Sequence, residues 1–193
     1  MEVQRKTVPV KKASKNGFLK SVLVFTLIVS FSVLLLGGYW IFKGLAPRPV
    51  EVSGPNGEVL MTKSSISGGQ AVFQKYALMD YGTILGHGSY MGPDYTAEAL
   101  KIYTEGMQDF KAEARYGKRF KQLSDEKQST IRNQVIREMR KNRYNRASDT
   151  LKLTDAQVYG LQQVRDHYRN VFTKGDGWGL EPCLIKESHM PKR

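Results

Sequence analysis

Residues 68–100 read Gly68-GQAVFQKYALMDYGTILGHGSYMGPDYTAEA-Leu100, and this stretch decides how the rest of the chain is read. Ser67 is a good helix N-cap. It precedes Ala71, Val72, Ala77 and Leu78, whose spacing predicts a short amphipathic helix running to about Met79. Gly82, Gly86, Gly88 and Gly92 then forbid regular structure and mark a compact loop. A phosphate-cradling loop would need Gly-x-x-x-x-Gly-Lys-Ser/Thr after a strand, and neither the lysine nor the strand is there. From Thr96 to about Lys118 the chain turns helical again. Leu100, Tyr103, Met107, Phe110 and Ala114 recur at three- and four-residue steps and predict one buried stripe.

The order of residues in this stretch says more than its composition. Gly69, Val72, Phe73 and Gln74 form a Gly-x-x-Val-Phe-Gln helix. Thr83, Ile84, Leu85, Gly86, Gly88, Tyr90, Pro93 and Asp94 form a Thr-Ile-Leu-Gly-x-Gly-x-Tyr-x-x-Pro-Asp loop. Together they resemble the start of the cytochrome-c-like domain of bacterial nitric oxide reductases, where Cys-x-x-Cys-His lies between helix and loop. Here those three positions hold Leu78, Tyr81 and Gly82. Covalent c-type haem needs two thiols for thioethers and an imidazole for iron, and these side chains supply none of them. Bulky Leu78 and Tyr81 are instead suited to fill space that a macrocycle would take. The combination is similar to the quinol-dependent nitric oxide reductases, whose large subunit opens with a haem-free cytochrome-c-like N-terminal region.

That resemblance implies a mainly α fold: one N-terminal transmembrane helix, then a cytochrome-c-like helical domain with a small β-hairpin. It implies no cofactor in this chain. Reduction of nitric oxide to nitrous oxide, in denitrification or detoxification, would fall to haem b, haem b3 and non-haem iron in a catalytic multi-span domain missing here. The chain alone is expected to be inactive. Its partners are expected to be membrane lipid and that catalytic domain, with quinol at the interface a candidate, and no nucleic acid.

The membrane segment is legible from hydropathy alone. Ser21 to Phe42 carries no charge and is bounded by Lys20 and Lys43; at about 1.5 Å per residue it extends roughly 33 Å, enough for the hydrocarbon core. Tyr39 and Trp40 suit an interface. A cleaved signal peptide has a shorter apolar region, and Pro47 follows the only site resembling a cleavage signal, Gly44-Leu45-Ala46. The segment 21–43 therefore reads as an uncleaved anchor. The formal net charge is +12. Arg5, Lys6, Lys11, Lys12, Lys15 and Lys20 crowd a basic tail, 1–20, which the positive-inside rule leaves in the cytoplasm with the remainder outside. Further cations, Arg132, Arg137, Arg140, Lys141, Arg143 and Arg146, are expected on solvated helical faces.

The exported domain is expected over 47–175. Gly54-Pro55-Asn56-Gly57 between Val50-Glu51-Val52 and Glu58-Val59-Leu60-Met61 predicts a hairpin. Ser124 opens a helix with Asp125 and Glu126 at its positive end and Ile131, Val135 and Met139 inward. Thr154-x-x-Gln157 is a capping box for a last helix with Val158, Leu161, Val164, Tyr168, Val171 and Phe172 on its apolar face. Residues 176–193 read as an irregular tail, a truncated connection to the catalytic domain.

Isolated reactive residues add little. The single cysteine, Cys183, cannot pair within the chain. His87 could ligate metal, relay a proton, touch a neighbouring subunit, or simply bond loop backbone. His167 beside Asp166 is expected on a polar face, His189 lies in the tail, and the three do not form a metal motif. Asp80, Asp94 and Glu98 have no evident paired geometry, with Asp94 better suited to capping; Ser89 has no base partner. A tethered electron carrier is disfavoured by Leu78, Tyr81 and Gly82. A free-standing extracytoplasmic sensing or assembly module is the alternative the sequence equally permits.

Overall fold

In the computed structural model, residues 15–89 and 91–175 are described, so the expectations for Cys183, His189, Tyr90 and the tail 176–193 lie outside the described residues. The chain divides into two units, Met1–Pro47 and Arg48–Arg193.

The first unit is one helix, α1, Lys15–Gly44. Within it Gly17–Gly44 is long and apolar enough to cross a membrane, somewhat more than the sequence marked out. Its leucines, valines and phenylalanines are exposed all round, which in lipid is the favourable arrangement. The hydroxyls of Ser21, Thr26 and Ser32 donate back to the carbonyls of Gly17, Val22 and Ile28 at 3.1, 2.9 and 2.7 Å, so these polar groups need no water.

The second unit is mainly helical, with a small sheet. β1 (Glu51–Ser53) and β2 (Val59–Thr62) form the expected antiparallel hairpin. It does not stand as a two-stranded ribbon. β5 (Tyr144–Asn145) and β6 (Thr150–Lys152) join it in the order β2-β1-β6-β5, with β1 and β6 parallel. Two strands would be marginal alone; four give β1 a partner on each side. Arg143 and Arg146 therefore flank β5 instead of lying on a helix, while Arg132, Arg137 and Arg140 are exposed on a helix, α4 (Asp125–Arg140), as expected.

α2 spans Lys63–Lys75 and corrects the predicted span at both ends. Thr62, not Ser67, is the N-cap: its side chain accepts from Ser65 N–H at 3.2 Å while Ser65 Oγ accepts from Thr62 N–H at 2.9 Å. The helix stops before Met79 because Ala77 takes a left-handed conformation, φ 49°, and the chain re-enters as a 3₁₀ turn, Leu78–Asp80. The short strands β3 (Thr83–Ile84) and β4 (His87–Gly88) follow.

α3 (Tyr95–Tyr116), α4 and α5 (Asp155–Lys174) supply the core. Met107 and Ile131 have no exposed surface, and Val135, Ala112, Phe120, Leu123 and Ala156 close around them. The predicted stripe on α3 is right in its middle and wrong at its ends, since Leu100 and Ala114 are exposed. α3 and α5 touch where Gly106 meets Gly160. A Cβ on Gly106 would stand 3.0 Å from Gly160 Cα, and one on Gly160 would stand 2.5 Å from the Tyr103 carbonyl oxygen. So close a crossing concentrates burial at mid-helix and lets the ends diverge.

α4 and α5 are clasped to α3 by one acid. Lys111 Nζ lies 2.6 Å from Glu138 Oε2, and Thr154 Oγ1 donates to Glu138 Oε1. Burial works against the Glu138 anion, but the Lys111 and Thr154 bonds outweigh it and hold its carboxyl below the usual range. Thr154 also closes the expected capping box with Gln157.

Candidate functional site

The start of the glycine loop packs onto α5 through Leu78. Leu78, 2 % exposed, is enclosed by Val72, Phe73, Tyr76, Tyr81, Val171 and Phe172. Burying a leucine this far stabilises the loop by roughly 1.5–3 kcal/mol. The backbone then turns sharply. Tyr81 N–H and Gly82 N–H both donate to Leu78 O at 3.3 Å, and Thr83 N–H donates to Pro93 O at 3.1 Å. Gly82 is buried in this crossing. A Cβ there would come within 2.5 Å of Pro93 O and 2.8 Å of the Tyr95 ring, so the position admits no side chain without moving backbone. Gly88, φ 133°, is held the same way, since a Cβ there would come within 2.5 Å of Gly82 O.

β3 and β4 make a two-residue hairpin whose central residues, Leu85 and Gly86, both have positive φ, 53° and 77°. Asp94 braces it from beneath. Its Oδ2 accepts from Gly86 N–H at 2.9 Å, and its Oδ1 caps α3 by accepting from Thr96 and Ala97 N–H at 2.9 and 3.2 Å. Thr96 Oγ1 accepts from Leu85 N–H at 3.2 Å. The Ala97 amide leads in holding the Asp94 carboxyl below the ordinary value, against some opposing desolvation, with Gly86, Thr96 and Thr83 adding to the lowering. The depressed group contributes stability fully above its unfolded pKa, and that contribution is lost as pH falls through the lower folded value. Asp94→Asn should therefore flatten the acid limb of the wild-type melting-temperature profile below about pH 4. An unchanged profile would show that the brace is not felt by the fold.

An apolar cleft of about 370 Å³ lies beside this loop, walled by Phe73, Ile84, Tyr95, Val164, Tyr168 and Phe172 with the stems of Arg165 and Arg169. The Phe73 and Tyr95 rings meet edge to face at 5.9 Å, and Tyr168 stacks on Phe172 at 6.0 Å. Tyr168 Oη lies 3.0 Å from Tyr95 O and 3.1 Å from Glu98 Oε2. Burial, then the Glu98 charge, pushes its phenol far up. His167 Nε2 stands 3.3 Å from Glu98 Oε1, so this histidine faces a carboxylate on α3 instead of the open polar side expected beside Asp166. No spacing in the sequence links residues 98 and 167; only the helix crossing brings them together.

Among the residues singled out in sequence, Phe73, Leu78, Tyr81, Gly82, Gly88, Pro93 and Asp94 converge on this one region. Gly69 and Gln74 are exposed on α2, and His87 is exposed on β4 opposite Ile84. Asp94 and Glu98 are each committed to hydrogen bonds, and Asp80 is exposed.

The family model for the NorB cytochrome c-like domain of nitric oxide reductase matches residues 49–193, three-quarters of the chain. The chain belongs to this family. No curated protein matches it. For a NorB cytochrome c-like domain, the loop geometry bears directly on the haem question. The three positions where the sequence resemblance expects two thiols and an imidazole hold a buried leucine, a half-buried tyrosine and a glycine closed in by backbone. Sequence reasoning singled out these three positions. It missed the Glu98–His167–Tyr168 cluster and the cleft.

Proposed function

We propose that this chain is the membrane-anchored, haem-free cytochrome c-like portion of a quinol-dependent nitric oxide reductase. In this reading 21–43 is the anchor, the N-terminus is cytoplasmic, and the domain from 47 to 175 is extracytoplasmic. Reduction of nitric oxide to nitrous oxide belongs to the catalytic membrane portion of NorB. The domain covers the outer face of that portion and shapes quinol or proton entry. One observation carries the haem-free reading: Gly82, at the axial-ligand position, would place any Cβ 2.5 Å from Pro93 O. Leu78 supports it by filling the adjoining core. These residues do not fit a covalently held haem.

The full chain, co-expressed with the c-type haem attachment machinery and purified in detergent, should show no Soret band and no haem-stained band. It should not consume nitric oxide. A C-terminal alkaline phosphatase fusion should be active, as the export of the domain requires. Stoichiometric porphyrin, turnover by the isolated chain, or an inactive fusion would each overturn the corresponding part of the reading.

A further inference from the structure

Leu85 is an unusual choice for its place. It is the first residue of a two-residue hairpin turn, has φ 53°, and is 73 % exposed. Asparagine, aspartate or glycine adopts that conformation more readily, and a leucine side chain there gains little burial within the domain. A residue that costs backbone strain and exposes an isobutyl group is accounted for by what it touches outside the domain. The tip is also rigidly held, with Asp94 and Thr96 bonding both of its amides.

The surroundings are apolar. Met91, on the same loop, is 75 % exposed, and Ile84 both flanks the tip and lines the cleft. Leu100, 52 % exposed, lies one helical turn after Thr96 on the same edge of α3. Charge then selects the kind of partner. Of 193 residues 30 are Lys or Arg, so a run of 25 would carry about four, yet residues 76–100 carry none. Their only charged side chains are the carboxylates of Asp80, Asp94 and Glu98. A surface made to lie on anionic lipid would show the reverse. The cations nearest in space, Arg165 and Arg169, lie beyond Ile84 on the cleft wall. The tip itself presents an aliphatic side chain on a loop whose own residues are uncharged or acidic, which fits a pocket in a protein.

We infer that the Thr83–Gly88 hairpin, with Leu85 as its anchor, is the docking surface through which this domain seats on an apolar pocket of the membrane-embedded remainder of NorB. The choice of partner rests on the proposed function. Apolar anchors that fill a partner's pocket dominate such interfaces, with the surrounding contacts excluding water.

The full chain is co-expressed in one membrane with a tagged catalytic portion of a NorB from the same family, and its recovery with the tag is measured for wild type, Leu85→Gly and Leu85→Asp. Wild type should be recovered and both variants reduced by about tenfold or more. Leu85→Gly relieves the positive φ, so its melting temperature should hold or rise while docking falls, which separates lost contact from lost fold. Equal recovery of all three overturns the assignment of the hairpin and leaves the family reading intact. Failure to recover wild type overturns both. In a Leu85→Cys, Cys183→Ser chain carrying a benzophenone, the photo-adduct should fall on a peptide of the catalytic portion. Adducts on lipid alone, or on a second copy of this chain, overturn the inference.

Discussion

Installing the haem-attachment triplet, Leu78→Cys, Tyr81→Cys and Gly82→His together, is expected to unfold this domain and not to turn it into a cytochrome. Trading buried Leu78 for cysteine removes part of a well-packed contact with Phe73, Val171 and Phe172, about 2 kcal/mol. The histidine is worse. Its Cβ would start 2.5 Å from Pro93 O and 2.8 Å from the Tyr95 ring, and backbone cannot swing aside as a flexible side chain can. Overpacking of this kind costs about 3 kcal/mol or more, and together the changes approach the whole stability of a typical domain. Circular dichroism and haem staining of the triple variant, made with the attachment machinery present, test this. A stable, haem-bearing product would show that the crossing at Gly82 opens easily, and the haem-free reading would lose its physical basis. Gly82→Ala alone should already lower the melting temperature measurably.

The second large effect is expected at the helix crossing. In Gly160→Ala the new methyl would meet Tyr103 O at 2.5 Å and Met107 Cγ at 3.3 Å. The thioether can give way and the carbonyl cannot, so α3 and α5 must separate where Met107 is wholly buried. Alanine's better helix propensity returns about 1 kcal/mol, leaving a net loss of about 2 kcal/mol and a melting temperature lower by very roughly 5–10 °C. Thermal unfolding of the detergent-solubilised chain reads this directly. An unchanged midpoint would mean that the two helices do not cross this closely. Gly106→Ala, whose nearest neighbours are Gly160 Cα at 3.0 Å and the flexible Gln163 side chain at 3.1 Å, should be milder.

What the sequence made legible, and what it hid, follows from whether the deciding contact is local. The apolar run of α1, the Thr154–Gln157 box, the inward face of α4 and the Gly54–Gly57 turn are all written within a few residues, and each is found in the structure. α2 was misplaced because Lys63-Ser-Ser-Ile-Ser-Gly-Gly offers several hydroxyls able to cap and almost no periodicity. Its early end depends on Ala77 turning left-handed, for which alanine gives no warning. β6 was invisible because three residues pair with a strand about a hundred positions earlier, a contact that no window can sense. In the site, Leu78, Tyr81 and Gly82 could be singled out from the order of the residues that flank them. The backbone crossing that closes Gly82, and the meeting of Glu98 with Tyr168, exist only after folding.

The parallel pairing of β1 with β6 has a mechanical consequence. β1 begins at Glu51, just past the boundary with the membrane helix, and it is an interior strand of its sheet. Val50 N–H donates to Asp149 O at 2.8 Å, and Lys63 N–H donates to Val50 O at 2.9 Å, so the entry point is bonded on both sides. A pull arriving along the tether must break these bonds and the flanking ladders at once, because β1 cannot be peeled from an edge. A load entering the domain from its N-terminal side is thus shared between the β1–β2 and β1–β6 ladders.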